Sequence, residues 1–260
     1  MSTKILIEFF KRLQNRVRKV GTDTFKKGVK NSTVITYRNR LNPFFNWLKQ
    51  QHLLKENPLD ALPLPKLDYN EKKHLSEEQI KILYSTISQY SYTSFLQRRD
   101  TAMLSILLYC GLRFNEFRQL EVRDIDFENH MLTVRSTTSK SRKSRFIPIH
   151  PTLKFHLKNY LEERKKRNYK TPYLIVSAIK DAGLTIHGVK HWVRTLGIKS
   201  GQKFHIHQFR HTFAYSLAKE DVNSIKIQKL LGHSSLDMTM TYLRAIDSKN
   251  LFDDISKLSY

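Results

Sequence analysis

The chain has 260 residues, enough for one large or two modest domains with an apolar core. Its 46 Lys and Arg residues outnumber 23 Asp and Glu residues, and the formal charge of +23 favours a polyanionic partner. The sequence has no apolar run of about 18 residues and no signal-peptide pattern, so we expect no membrane association.

The first 66 residues are predicted to form a small, strongly basic helical domain. Apolar residues recur at helical spacing over 5–20 and again over 32–51. Pro43 predicts a kink in the second helix, or a restart just before the proline. The L-P-L-P stretch at 62–65 is typical of a stiff linker. Residues 1–66 contain 14 Lys and Arg and 4 Asp and Glu, a net charge of +10.

The remaining residues, 67–260, are predicted to form a second domain that opens with helices. The S-E-E-Q pattern at 76–79 is typical of a capping box at a helix start. The helix predicted over 98–109 is mostly apolar, which places it in the core, and Gly111 is its expected end.

Cys110 is the only cysteine of the chain and follows an apolar run. Its surroundings predict a buried side chain rather than a nucleophile. A single cysteine excludes an intramolecular disulfide framework, so we expect a reducing, cytoplasmic location.

Two short strands are predicted at 131–135 and 145–149, where apolar residues occupy alternate positions. The turn between them is polar and basic, and it contains Lys140 and Lys143. Pro151 is expected to begin a helix. A third strand is predicted at 173–176.

The G-L-R-F-N-E stretch at 111–116 places Arg113 and Glu116 three residues apart. A carboxylate at this spacing can hold a guanidinium in place through charge-assisted hydrogen bonds. Taken alone, a pair at this spacing is more often an ordinary surface contact.

The stretch 205–244 contains further side chains suited to phosphate chemistry. His207 and Arg210 lie three apart on a predicted helix and therefore share a face. His233 follows Gly232 and is expected on the second helix of a helical hairpin, and Tyr242 comes nine residues later. An arginine can hold phosphate oxygens in a fixed fork, and a phenol can act as a nucleophile.

These motifs together resemble the tyrosine recombinases, the phage-integrase family. That family combines G-L-R-x-x-E, a hairpin of the form K-x-x-K-x-R-x-x-P, H-x-x-R, L-G-H and a tyrosine about nine residues further on. All of these stand in order between residues 111 and 242, and the wider resemblance extends over nearly the whole chain.

The resemblance implies that Tyr242 attacks a DNA backbone phosphate, giving a 3′-phosphotyrosyl link and a free 5′-hydroxyl. It implies cations at the phosphate, a histidine base, a lysine that protonates the leaving oxygen, and no cofactor or metal. The catalytic set it implies is Arg113, Lys140, His207, Arg210, His233 and Tyr242.

The resemblance also implies a mainly α fold with a small β-hairpin or sheet, in the α+β class. The N-terminal helices resemble the end of the family's core-binding domain, which clamps DNA, although only about two long helices fit before the linker. The implied partners are double-stranded DNA and further copies of the chain, a dimer on each site and a tetramer in the synapse. The amphipathic tail at 247–258 is expected to dock on a neighbouring copy or on its own domain.

Two other functions stay open. Asp124 and Asp126 alternate on a possible strand and could pair in a metal-dependent nuclease, although no third acidic residue stands at a recognisable spacing. A DNA-binding remnant without catalysis is the second alternative. His187 and His191 have a spacing that can bind metal, but without an acidic or cysteine cluster we expect surface or DNA-proximal side chains.

Overall fold

The computed structural model describes residues 3–20, 23–65, 74–139 and 142–233. Lys140, Tyr242 and the predicted tail helix at 247–258 lie outside the described residues. The chain divides into two compact units, Met1–Glu71 and Lys72–Tyr260. The functional domain limits of 1–66 and 67–260 stay a prediction.

The first unit packs two helices around a small core of its own. Leu6, Phe45 and Leu59 are buried together, and other apolar side chains of both helices surround them. Its elements in chain order are helix α1 at Thr3–Asn15, strands β1 at Val17–Val20 and β2 at Thr24–Lys27, and helix α2 at Asn31–Gln50.

The predicted helix over 5–20 is wrong beyond residue 15, because β1 and β2 form an antiparallel hairpin. The basic residues Arg12, Arg16 and Lys19 would follow one another on one helix face, where like charges repel. β-branched residues at positions 17, 20 and 24 favour extended backbone instead.

The helix does not restart before Pro43, because α2 runs through this position. The kink predicted as the alternative stays a prediction. Proline removes only one backbone hydrogen bond from the helix interior. Phe45, two residues later, is 1% exposed in the core of the unit. We infer that its packing holds the helix together despite the missing bond.

The second unit is built around helix α4, Ser94–Cys110, which packs against other helices on several sides. Thr93 caps its start and Gly111, in the left-handed conformation, ends it as predicted. Cys110 is buried as expected, and burial raises the pKa of its thiol to about 12, so it is no nucleophile.

The remaining described helices of this unit surround α4, and the predicted capping box at 76–79 is confirmed. The predicted helix start at Pro151 is confirmed as well. None of the described helices is long and apolar enough to cross a membrane. These helices are α3 at Glu77–Tyr90, α5 at Phe114–Arg118, α6 at Pro151–Lys166, α7 at Ile186–Ser200, α8 at Ile206–Lys219 and α9 at Ser224–Leu231.

A three-stranded antiparallel sheet lies beside these helices, in the order β3-β4-β5. Both predicted strands are confirmed, as β4 at Met131–Val134 and β5 at Arg145–Pro148, and β3 is the short Ile125–Asp126. The mainly helical fold with a small sheet is therefore confirmed.

The third strand predicted at 173–176 is wrong, because this segment makes only isolated bridges, from Tyr173 and from Val176. The phenol of Tyr160 satisfies two backbone groups of this segment. It donates to the carbonyl of Leu174 at 2.9 Å and accepts from the amide of Val176 at 3.3 Å. Buried backbone groups need such partners, and here a side chain provides them.

Candidate active site

Helix α8 positions the first two candidate residues, His207 and Arg210, near its start as predicted. The amide of His205, which precedes the helix, donates to the side chain of Gln208 at 2.9 Å. This capping contact fixes the first turn. The side chains three residues apart therefore share one face.

Arg210 is buried, with 5% of the residue exposed, and its guanidinium is held from two sides. Its Nη1 donates to the carbonyl of Gly111 and its Nη2 to the carbonyl of Leu231, both at 2.8 Å. One contact comes from the end of α4 and the other from the end of α9. Arg210 thus joins three helices at one point.

Arg113 lies just before α5, and Glu116 holds it as predicted. Its Nη1 donates to Glu116 Oε1 at 3.0 Å, and its backbone amide donates to Oε2 at 2.9 Å. Its Nη2 donates to the carbonyl of Gly232 at 2.8 Å. The Arg113 side chain is 22% exposed, so part of this fixed cation faces solvent.

Arg145 is the residue that the sequence reasoning missed. Its Nη1 and Nη2 donate to the two oxygens of Glu116, at 3.0 and 2.7 Å, and its Nε donates to the carbonyl of Leu230 at 2.8 Å. The sequence of β5 contained an indication of this role. Buried and exposed residues alternate along the strand, and Arg145 lies on the same face as the buried Ile147. A charged side chain on the buried face of a strand requires a partner.

Glu116 is therefore the acceptor at the centre of this arrangement, with four hydrogen bonds from two arginines. Burial alone would raise the pKa of its carboxyl group. The hydrogen bonds and charge of Arg145, followed by the hydrogen bonds of Arg113, outweigh burial and lower the pKa to about 2.

The end of α9 explains how the three arginines are arranged. A helix leaves its last carbonyl groups without partners inside the helix. The amide of His233 donates to the carbonyl of Gln228, and the amide of Gly232 donates to that of Lys229. The next three carbonyls, of Leu230, Leu231 and Gly232, accept from Arg145, Arg210 and Arg113 in that order. The negative end of the helix dipole also favours cations at this position. The arginines and the residue after α9 are thereby fixed to one another.

Gly232 is needed for this arrangement. Its φ of +65° lies in the left-handed region, and a Cβ atom at this position would approach Arg145 Nη1 to 3.1 Å. Because α9 ends at Leu231, His233 lies just beyond the helix. The second helix of the predicted hairpin would follow it, outside the described residues, so that prediction is not tested.

Both candidate histidines are held in the neutral form. Burial, followed by the charges of Arg210, Arg113 and Arg145, lowers the pKa of His233 to about 4. Burial, followed by the charges of His205 and Arg210, lowers the pKa of His207 below its usual value. Neutral imidazoles at pH 7 can accept a proton or donate a hydrogen bond.

A cleft of about 770 Å³ brings the candidate residues together. Thr138 and Ser139 at the end of the described part of the β-hairpin also line it, directly before Lys140 in sequence. The four described candidates that line the cleft are Arg113, His207, Arg210 and His233.

The two carboxylates of the nuclease alternative have other partners. Asp124 ends a 3-10 turn, is buried, and contacts Arg135 at 3.0 Å, so its predicted place on a strand with Asp126 is wrong. Asp126 accepts hydrogen bonds from Glu128 and Asn129 within its own turn. Within the described ranges no group of three or more potential metal-ligating side chains occurs.

Replacing Glu116 with glutamine is expected to lower the free energy of unfolding by about 3–5 kcal/mol at pH 7, because Arg145 loses its buried counter-charge. The folded pKa of Glu116, about 2, lies below its ordinary value of 4.5. Its stabilisation is therefore full above pH 4.5 and is lost as the pH falls toward 2. Urea denaturation should show that the difference in the free energy of unfolding between wild type and Glu116→Gln shrinks as the pH falls below 4.5.

The matched control is Glu162→Gln, which removes a carboxylate with 66% side-chain exposure that lies 3.7 Å from Arg98. Exposed pairs of this kind contribute little to stability, so the control should unfold like the wild type. If the free energies of unfolding of wild type and Glu116→Gln differ by the same amount from pH 7 to about pH 3, the lowered pKa assigned to Glu116 is contradicted.

Comparison with known proteins shows which family combines these features. Residues 73–249 match the model of the phage integrase family. The chain belongs to this family, the tyrosine recombinases. A tyrosine recombinase of Pseudothermotoga lettingae is 32% identical over 252 residues, which cover 96% of this chain and 80% of that protein. The tyrosine recombinase XerC of Bacillus subtilis is 29% identical over 227 residues, covering 85% and 73%.

Solved structures confirm the fold of the recombinase. The Tn1549 transposon integrase, in complex with transposon right end DNA, superposes with a TM-score of 0.77 over 100% of this chain and 86% of that one. The two are 21% identical, so the similarity concerns the fold. The family membership makes this chain a site-specific recombinase.

Proposed function

We propose that the recombinase cuts and rejoins duplex DNA through a 3′-phosphotyrosyl intermediate formed on Tyr242. The observation that carries this proposal is the cleft in which side chains from three separate sequence motifs meet. The residues assigned to the chemistry are Arg113, Lys140, His207, Arg210, His233 and Tyr242.

The arginines suit the charge that develops during the reaction. Attack on a phosphodiester concentrates negative charge on the phosphorus oxygens, and fixed cations stabilise that charge without reorganising. Arg113 and Arg210 are fixed by backbone carbonyls at 2.8 Å. Arginine keeps its charge in any protein environment. We assign both side chains to the scissile phosphate.

The histidines suit proton transfer and hydrogen bonding. A tyrosine hydroxyl has a pKa of roughly 10 and needs a base to become a good nucleophile at neutral pH. The pKa of His207 is lowered from its ordinary value of 6.5, so its imidazole is neutral at pH 7 and has a ring nitrogen free of a proton. We assign it as the acceptor of the Tyr242 proton. His233, neutral beside three arginines, is assigned a hydrogen bond to a phosphate oxygen.

Lys140 is assigned as the acid that protonates the leaving oxygen. It follows Ser139, which lines the cleft, and an ammonium group can donate a proton to the 5′-oxygen as the P–O bond breaks. Lys143, three residues later, is assigned a neighbouring phosphate contact.

The reaction then balances without an energy source. The Tyr242 oxygen forms a bond to phosphorus, the bond from phosphorus to the 5′-oxygen breaks, and the proton from Lys140 gives a free 5′-hydroxyl. A 5′-hydroxyl from a second strand then attacks the same phosphorus and releases Tyr242. Each phosphoester broken is replaced by another, so no nucleotide cofactor is required.

The stoichiometry of strand exchange supports an oligomer on DNA. Exchanging two duplexes requires four strand cleavages, and each chain carries one Tyr242. We therefore propose a dimer on each site and a tetramer in the synapse. Whether the product is an integration, an excision or a resolution depends on the placement of the two sites, because the phosphate chemistry is the same.

Strand cleavage is expected to proceed at the same rate in excess chelator as in magnesium, since the proposed groups are cations, imidazoles and a phenol. The assay uses a nicked duplex carrying a site selected by the recombinase from random sequences, and it counts covalent protein–DNA complexes. Asp126→Asn is the control and should leave the rate unchanged. Cleavage that disappears in chelator and returns with magnesium would instead support the nuclease alternative.

A further inference from the structure

The hairpin of β1 and β2 is a basic element that the proposed catalytic function does not use. Residues 16–30 contain six Lys and Arg and a single acid, Asp23, for a net charge of +5. This is half of the net charge of residues 1–66. The charge is therefore concentrated on one short element rather than spread over the unit.

The strand register places two cations and two apolar side chains on one face of the hairpin. Val17 pairs with Lys27, and Lys19 pairs with Phe25. Because paired residues point to the same side and alternate residues share a face, these four side chains lie together. All four are exposed, Val17 at 68% and Phe25 at 67%.

The base of the hairpin is fixed to the end of α1. The amide of Arg16 donates to the carbonyl of Arg12 in α1 at 2.9 Å, and the carbonyl of Arg16 accepts from the amide of Gly28 at 2.8 Å. Arg18 Nε also donates to the carbonyl of Gly28, at 2.8 Å. Gly28 has a φ of +72°, and a Cβ atom there would lie 2.3 Å from the carbonyl oxygen of Gln14. Only glycine allows this close approach, so the hairpin is held in a defined position on its helix.

The exposed face has the chemistry of a nucleic-acid contact. The ion pairs found in the described parts of the chain include none with Lys19 or Lys27. Phosphates of a duplex can neutralise both cations. A large exposed phenylalanine between lysines gains from contact with sugar or base surfaces, which a purely solvated basic turn does not provide.

We propose that this hairpin is a second DNA-binding element of the recombinase, a two-stranded ribbon that enters a groove beside the recombination site. Lys19 and Lys27 contact phosphates, while Phe25 and Val17 contact apolar surfaces of the groove. The major groove of B-DNA is wide enough for a two-stranded ribbon. The inference rests on the proposed function, because that function makes duplex DNA the substrate.

The first test is the salt dependence of duplex binding by the full chain with both lysines replaced, Lys19→Ala/Lys27→Ala. Each phosphate contact contributes about 0.9 to the log–log slope of affinity against salt, so the slope should become shallower by about 1.8. Affinity at low salt should fall at least about tenfold. The matched control removes two exposed charges from the other unit, Lys165→Ala/Lys180→Ala, and should keep the wild-type slope.

The second test is Phe25→Ala, which should lower affinity by a similar factor at every salt concentration because no charge is lost. Circular dichroism checks that each variant is folded. A slope for the double lysine variant equal to that of wild type would overturn the proposal. A hairpin variant that binds a single site normally but no longer pairs two sites would also overturn the proposal. The hairpin would then contact protein rather than DNA.

Covalent capture separates this inference from the proposed function. At saturating protein, the hairpin variants should form the phosphotyrosyl complex in the same yield as wild type. A wild-type protein that binds duplex DNA with a hairpin-dependent slope but forms no covalent complex would refute the catalytic assignment alone. Hairpin variants with unchanged DNA affinity and normal covalent yield would refute only the proposed DNA contact of the hairpin.

Discussion

Tyr242→Phe is expected to abolish the covalent protein–DNA complex while leaving folding and DNA affinity nearly unchanged. The substitution removes a single oxygen, which is the atom proposed to attack phosphorus. The measurement is covalent capture on a nicked duplex, with DNA affinity determined in parallel. No other side chain in the proposed site can form a phosphotyrosyl bond, so the expected loss is complete rather than partial.

The matched control is Tyr215→Phe, because Tyr215 is the nearest competitor in sequence to the Arg210 motif. Its ring stacks on His74 with 3.7 Å between the ring centroids, which indicates a packing role. Two further tyrosines, Tyr84 and Tyr160, are poor nucleophiles because burial raises each pKa to about 12. A Tyr242→Phe protein that still forms the complex, or a Tyr215→Phe protein that does not, would contradict the assignment.

Arg210→Ala is expected to lower the single-turnover cleavage rate by about 10²–10³-fold, the usual loss for one preorganised donor to a developing oxyanion. The same change leaves the carbonyls of Gly111 and Leu231 without their arginine partner. Some stability should therefore be lost as well. Arg210→Lys separates the two effects, because it keeps the charge but not the planar fork.

The expected order of cleavage rates is wild type, then Arg210→Lys, then Arg210→Ala, measured at saturating protein so that affinity does not contribute. The control is Arg194→Ala, an exposed arginine on α7. It should cleave at the wild-type rate. Equal rates for wild type and Arg210→Ala would remove Arg210 from the site, even if the variant were less stable.

Much of the site could be predicted from sequence because its parts are local. The spacing of His207 and Arg210 fixes a shared helix face, and the spacing of Arg113 and Glu116 fixes a capping contact. Each of these depends on residues three positions apart on a helix or at its start. The structure confirms both local geometries.

The part that sequence reasoning missed depends on long-range contacts. Arg145 meets Glu116 across 29 residues and Leu230 across 85. Local spacing cannot predict such pairs, although the alternation of β5 marked Arg145 as inward-facing. The hairpin of β1 and β2 was missed for a different reason, since the period of its apolar residues fits a helix while its repelling charges and β-branched residues favour strands.

The most direct measurement of the central claim is mass spectrometry of tryptic peptides from the covalent complex trapped on a nicked duplex. Trypsin cleaves after Lys229 and Arg244, so the peptide of residues 230–244 contains Tyr242 as its only tyrosine. The competing Tyr215 falls in the separate peptide of residues 211–219. We expect the 3′-phosphonucleotide on peptide 230–244. A modified peptide 211–219, or any other modified tyrosine with 230–244 unmodified, would contradict it.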